Sequence, residues 1–251
     1  MMNLKGRITR SRLRLALGLL VVAAAAVALA RIAVAVAMDG SDWVEVQCDP
    51  ILLFLEEFDD VTAPALPAGW SSMTWVTSNS GVPAPPADTL PNAAFVDDPS
   101  TISDKQLLSP SIPVIADGPP AKMSFRNNFN LQGGFDGGVL EISFDDGLTF
   151  QDIVAAGGTF ISGGYNGTIS ACCGNPLAGR QAWTGNSGGF ISTTVNLPYS
   201  SLPIILRWRM GSDSSVSGEG WRIDSIAITQ ACPSTPPPRG RPTPHPRPAR
   251  R

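Results

Sequence analysis

The sequence predicts an all-β domain, a two-sheet jelly-roll sandwich over residues 50–232, set between an N-terminal signal segment and a Pro/Arg-rich tail. Three observations predict it. Short runs of alternating apolar and polar residues recur, each cut by Gly, Pro, Asn or Asp. Glycine and proline are plentiful, at 25 and 23 residues, and favour turns over helices. Beyond residue 37 no apolar periodicity supports a helix longer than two turns.

The chain opens with Lys5, Arg7, Arg10, Arg12 and Arg14, then an apolar run from Leu15 to Ala30, then the small residues Ala35-Val36-Ala37. Charge, apolar stretch and A-x-A site in that order form a secretory signal over residues 1–37, with a second cut site at Ala28-Leu29-Ala30. The other reading is an uncleaved anchor, although the run is short for a membrane span and Arg31 interrupts it. Export to the medium or the cell surface is expected, with no membrane span in the mature chain if the signal is cleaved. Residues 38–49 form a short lead-in.

Within the domain the strand patterns run in order. Ile51–Phe58 comes first. Ala121–Leu131 sets Met123, Phe125, Phe129 and Leu131 on one face. Val139–Phe144 and Leu148–Val154 flank Asp145-Asp146-Gly147, a hairpin signal. Gly189–Leu197, Pro203–Met210 and Trp221–Thr229 complete the set. The stretches Ser78–Asp104 and Gly157–Ser187 are expected to lie over the sheets as long loops. Residues 233–251 hold eight prolines and five arginines and cannot build a core; an extended, disordered tail is expected, a spacer or a cationic contact.

Charge and residue inventory exclude several functions. All 21 acids but only seven of the 18 basic residues lie between 38 and 232, so this part carries a net charge of −14. Such a surface repels nucleic acid and suits divalent cations. The single histidine, His245, lies in the tail, so a Ser-His-Asp triad, a Cys-His pair and a His-ligated zinc are absent from the domain. No phosphate-binding loop of the G-x-x-x-x-G-K-[ST] type occurs. Carboxylate chemistry remains, with Glu141 and Asp145 as a glycosidase-like pair, but Asp145 belongs to the hairpin signal. The expectation is a protein that is not an enzyme.

The four cysteines suit an oxidising compartment. Cys48 and Cys232 bracket the domain and are expected to pair, tying its ends; Cys172 and Cys173 are then a vicinal disulfide or two free thiols. Period-2 geometry places Glu56 with Phe54 and Phe58, and Asp224 with Ile226 and Ile228. Buried carboxylates require a cation or hydrogen bonds. A Ca²⁺ site is therefore expected at Glu56 and Asp224, helped by Asp213 or Glu219, the alternative being ion pairs with Arg207, Arg209 or Arg222, or backbone hydrogen bonds. Trp183, in a Gly/Asn-rich loop, is the candidate exposed ligand contact, and Asn166-Gly167-Thr168 fits an N-glycosylation sequon.

Several segments carry a family resemblance. Phe54-Leu55-Glu56-Glu57-Phe58-Asp59 with Pro67-Ala68-Gly69-Trp70, then Leu107-Leu108-Ser109-Pro110, then Val139–Gly147, then Gly218-Glu219-Gly220-Trp221-Arg222-Ile223-Asp224-Ser225-Ile226 occur in that order. Together they resemble the choice-of-anchor J domains, which are MAM-like jelly rolls similar to the accessory domains of immune inhibitor A-type metallopeptidases. The resemblance covers about residues 50–230 and implies extracellular placement, an adhesive or accessory role, and a structural cation near the acids at 56 and 224. No peptidase catalytic domain is present, so proteolysis does not carry over, and the apolar-free tail leaves attachment open. The leading functional expectation is an adhesion or ligand-binding module for extracellular carbohydrate or protein. A structural envelope protein without a discrete ligand and a carboxylate-dependent glycan-active enzyme are the alternatives.

Overall fold

Alternating strands with one apolar face must bury that face against a second sheet. The computed structural model, which describes residues 49–116 and 118–232, shows two antiparallel sheets doing so. In chain order the strands are β1 (Ile51–Glu56), β2 (Val76–Ser78), β3 (Ala93–Val96), β4 (Ser103–Leu108), β5 (Lys122–Asn130), β6 (Gly137–Ser143), β7 (Gln151–Asp152), β8 (Thr159–Ser162), β9 (Gly167–Thr168), β10 (Gln181–Ala182), β11 (Ile191–Asn196), β12 (Ile205–Ser212) and β13 (Gly220–Gln230). The larger sheet is ordered β2-β3-β13-β5-β11-β8, with β1 also on β13; the smaller is β4-β12-β6-β7. The strands β3, β4, β5, β6, β11, β12 and β13 alternate between the sheets, which is jelly-roll connectivity.

The expected pairing of the first and last strands is present, with Ile51 opposite Gln230 and Glu56 opposite Ile226. β13 is long enough to take β3 along Trp221–Ile223, β1 along its second half, and β5 along its other edge. A β-bulge divides it: the register with β5 shifts between Asp224 and Ala227, and Ser225 has φ 48°. The bulge reverses the facing of alternate residues. Trp221 and Ile223 lie in the core before it, and Ile226 and Ile228 after it.

The core between the sheets is a chain of aromatic rings. Trp75 meets Trp221 at 5.2 Å, Trp221 meets Trp183 at 5.8 Å, and Phe125 touches both Trp183 and Trp208 edge-on at 5.8 Å. Each such ring removes about 150–250 Å² from water, on the order of 4–6 kcal/mol at 25 cal/mol per Å². Gly138 makes this packing possible, because a Cβ there would stand 2.5 Å from the Trp221 ring.

The two long loop regions do lie over the sheets, but they also contain strands. Ser78–Asp104 contributes β3 to the larger sheet and the start of β4 to the smaller. The part before β3 crosses the outer face, held by Arg222, whose guanidinium donates to the carbonyls of Ser78, Ser80, Val82, Pro83 and Pro86. Gly157–Ser187 contains β8, β9 and β10, and packs Ile169, Leu177 and Ala182 on Val139 outside the smaller sheet. The hairpin between β6 and β7 is wider than the Asp-Asp-Gly signal suggests, because Asp145 accepts from Ser143 Oγ and from both the backbone and hydroxyl of Thr149. Cys172 and Cys173 are bonded to each other. Cys232 is disulfide-bonded; Cys48, the signal segment and the Pro/Arg tail lie outside the described residues.

Gly138→Ala is expected to destabilise the domain by about 1–3 kcal/mol through overpacking against Trp221, read as a lower urea midpoint with altered tryptophan emission. Arg222→Lys is expected to cost about 2–4 kcal/mol, because one ammonium cannot replace a fork that serves five carbonyls. Limited proteolysis should then open the chain between residues 79 and 91.

Candidate functional site

Trp183 is not a surface residue. It is fully buried, its ring packs against Phe125, Phe160, Tyr165 and Trp221, and its Nε1 donates to the Gly163 carbonyl at 2.9 Å. The polar loop around it folds inward because Trp183 and Gly138 exchange backbone hydrogen bonds, which carries the indole into the sandwich. Trp70, Trp75, Trp208 and Trp221 are buried as well. No described tryptophan therefore offers a face to a ligand.

The four acids expected to share a cation are not brought together. Glu56 faces inward at the sandwich edge, opposite Ile226, and accepts from the Phe58 amide at 2.7 Å and Trp70 Nε1 at 2.9 Å. Burial raises its pKa, and these hydrogen bonds oppose the rise. Asp224 faces the other way. The bulge at Ser225 turns it outward, opposite Arg126 of β5, beneath the loop that Arg222 holds. There it accepts from the backbone amides of Asp88, Thr89 and Ser225. Burial nevertheless pushes its pKa up to about 6, against those bonds. Glu219 is exposed, and Asp213 is buried in the loop after β12.

The smaller sheet presents the most developed polar surface. Its outward side chains form a row across the strands: Asp104 and Gln106 from β4, Arg207 and Arg209 from β12, Glu141 from β6 and Asp152 from β7. Arg207 Nε reaches Glu141 at 2.6 Å and its Nη1 reaches Gln106 at 3.1 Å, while Arg209 grips Asp104 through two bonds. Arg180, from the covering loop, joins Glu141 to Asp152. Phe150 lies under the Arg207 guanidinium at 3.9 Å. Burial raises the Asp104 carboxyl, but Arg209 outweighs it and holds the group below its ordinary range.

This arrangement disfavours proton transfer by the one carboxylate pair the sequence suggests. Glu141 is ion-paired with Arg180, Arg207 and Arg209. Asp145 is held down to about 2 by the Thr149 hydroxyl and amide and by Ser143. A general acid needs the opposite shift.

A second cluster was not legible in the sequence. Asp98, from the β3–β4 loop, Asp136, from the β5–β6 loop, and Asp213, from the β12–β13 loop, meet at one end of the sandwich with exposures of 3%, 0% and 1%. One oxygen of each is anchored: Asp98 Oδ2 by the amides of Gly218 and Gln132, Asp136 Oδ1 by the Asp213 amide, and Asp213 Oδ1 by Ser215. The other oxygen of each is buried without a hydrogen-bond donor, as is Gln132 Oε1. Burial, together with the charges of Asp98 and Asp213, raises Asp136 to about 7. These residues are scattered over three loops, and only the folded topology joins them.

No family model and no curated protein matches the chain. Among solved structures, it is similar to a cleaved adhesin domain of Lys-gingipain from Porphyromonas gingivalis, at 16% identity, over 70% of this chain and 96% of that one, with a TM-score of 0.38. It is also similar to a xylan-binding CBM22-1 domain of Paenibacillus barcinonensis Xyn10C, at 10% identity, over 72% and 96%, with a TM-score of 0.42. TmCBM61, solved with β-1,4-galactotriose, aligns at 11% identity over 65% and 89%, with a TM-score of 0.39.

The raised pKa of Asp224 has a signed consequence. The folded state binds this proton more tightly than the unfolded chain, so the group's stabilising contribution is complete below about pH 4 and is lost as pH rises through about 6. Asp224→Asn is expected to remove about 1–3 kcal/mol of that slope between pH 4 and 7. Urea unfolding of the two proteins across this range measures it.

Proposed function

We propose that this chain is an exported, non-catalytic binding module that takes extracellular carbohydrate or protein on the outer face of its smaller sheet. The observation that carries the reading is the row of planar hydrogen-bonding groups Asp104, Gln106, Arg207 and Arg209, held in register by β4 and β12 and braced by Glu141. Paired polar groups of this kind, fixed on strands, can exchange hydrogen bonds with hydroxyls or amides of a ligand without first being ordered. The same pairing supports a non-catalytic role, because the carboxylates are committed to arginines and turns rather than poised to move protons. Carbohydrate is favoured over protein by the polarity of the face, which lacks the apolar centre of a protein interface. Export rests on the N-terminal signal pattern, and among the described residues no helix is long and apolar enough to cross a membrane.

The test is a glycan array probed with the full secreted chain, followed by titration calorimetry on the best ligand. Arg209→Ala and Gln106→Ala are each expected to weaken binding about 10-fold or more, the equivalent of roughly 1.4 kcal/mol. Lys122→Ala, on the opposite sheet, is expected to leave it unchanged. Binding that survives both β4–β12 substitutions rules this face out. No ligand from glycan or extracellular-protein panels would leave the domain a structural component of the envelope.

A further inference from the structure

We propose that the Cys172–Cys173 disulfide and Ile102 form an apolar platform at one end of the Asp104, Gln106 and Arg209 row, and that the ligand of this face is an oligosaccharide with one ring stacked on that platform. The inference rests on the reading of the smaller sheet's outer face as the binding surface. It adds the class of ligand and the contact that sets its length.

The bond itself requires an explanation. A disulfide stabilises a chain chiefly by closing a loop, and the effect grows with the length closed. Cys172 and Cys173 are adjacent, so their bond closes no loop. The segment is also held without it. Ser170 donates its amide to the Gly134 carbonyl, and Gly179 donates to Ile169. Asn175 is buried, with its Nδ2 shared between the carbonyls of Phe135 and Gly211, and Leu177 is fully buried beyond it. Ser170 Oγ accepts the Cys172 amide and donates to Cys172 Sγ, both at 3.3 Å. Between these anchors Ala171, Cys172, Cys173 and Gly174 are all exposed. The fold thus fixes a loop from both sides and leaves its two sulfurs in water.

The loop adjoins the polar face. Ile102 is 55% exposed, and a Cβ on Gly174 would stand 2.7 Å from its Cδ1, so the disulfide segment lies against this side chain. Ile102 precedes Asp104 by two residues. Period-2 geometry therefore extends the outward set Asp104 and Gln106 onto it, at about 7 Å per step. On the next strand Gly211 lies opposite Asp104, and Asn175 fills the space that a side chain there would take. Polar groups and apolar platform share one line along β4.

That combination selects a sugar chain. A pyranose carries hydroxyls around its rim and C–H groups on its face, so it takes fixed hydrogen-bonding groups beside an apolar surface. Aromatic rings can supply such a surface, but the described tryptophans are buried and Phe150 lies beneath Arg207. Divalent sulfur is apolar and polarizable and makes dispersion contacts of the same kind. Gln106 lies opposite Arg209, two steps or about 13 Å from Ile102. One ring cannot reach both ends, whereas an extended, flat, β-1,4-linked chain can.

The probes are hexasaccharides and disaccharides of β-1,4-linked glucose, xylose, mannose and galactose, titrated by calorimetry into the full secreted chain. At least one hexasaccharide is expected to bind, with its disaccharide at least 10-fold weaker. Replacing both cysteines, Cys172→Ser with Cys173→Ser, is expected to weaken the hexasaccharide about 10-fold and leave the disaccharide unchanged. Melting should stay within about 2 °C of the wild type, since no chain loop is opened. Ile102→Ala is expected to act in the same direction by about 3-fold, and it gives a second test that leaves the disulfide intact. Hexasaccharide binding that survives both changes but is lost in Arg209→Ala would overturn the platform and leave the sheet face standing. A loss of binding matched by a fall in melting temperature would show that the bond only braces the loop, and would also overturn it. No binding of any hexasaccharide would overturn it as well, while another ligand found on the array and lost in Arg209→Ala would keep the sheet-face reading.

Discussion

The bulge at Ser225 determines more of this structure than any single contact. β13 runs the length of the larger sheet and hydrogen-bonds three other strands. Uninterrupted alternation would set Trp221 and Ile223 on one face and Ile226 and Ile228 on the other. One extra residue returns both pairs to the core. The same reversal leaves Arg222 and Asp224 outside, where they hold the segment before β3 through its carbonyls and amides. A single backbone irregularity thus lets one strand serve the core and clamp a loop on the opposite face.

Buried charges on the sheets are satisfied locally, although the buried Trp75 Nε1, Trp208 Nε1 and Asn92 Oδ1 have no hydrogen-bond partner. Arg222 is buried with no acid beside it, and burial depresses its pKa to about 10, yet five carbonyls satisfy its donors. Glu141 is buried beneath three guanidinium groups. Where charge is excluded from water, the fold supplies several hydrogen bonds to each ion, which buried ions require. The loop end with Asp98, Asp136 and Asp213 departs from this pattern.

Sequence periodicity located the strands built on regular alternation, including β5, β6, β11 and β12, because one side of each faces a continuous core. It located β13 but misplaced Asp224, since a period-2 reading has no means of registering the bulge at Ser225. β3 was hidden because Ala93-Ala94-Phe95-Val96 is short and lies between Pro91 and Pro99. The polar residues flanking Trp183 suggest an exposed loop, whereas a backbone bridge to Gly138 decides its position. Arg207, Arg209 and Glu141 were visible as polar positions in strands, but not as one face. That requires the strand order.

The route of β13 also orients the molecule. Its last residue lies opposite Ile51, so the two ends of the described domain lie at one pole. Its first residue adjoins the loop that carries Asp213, roughly 35 Å away at about 3.3 Å per residue. A tether acting through either flanking segment would hold the domain by that first pole, so the acid-bearing loops would point away from the support, at the leading tip of whatever surface displays them.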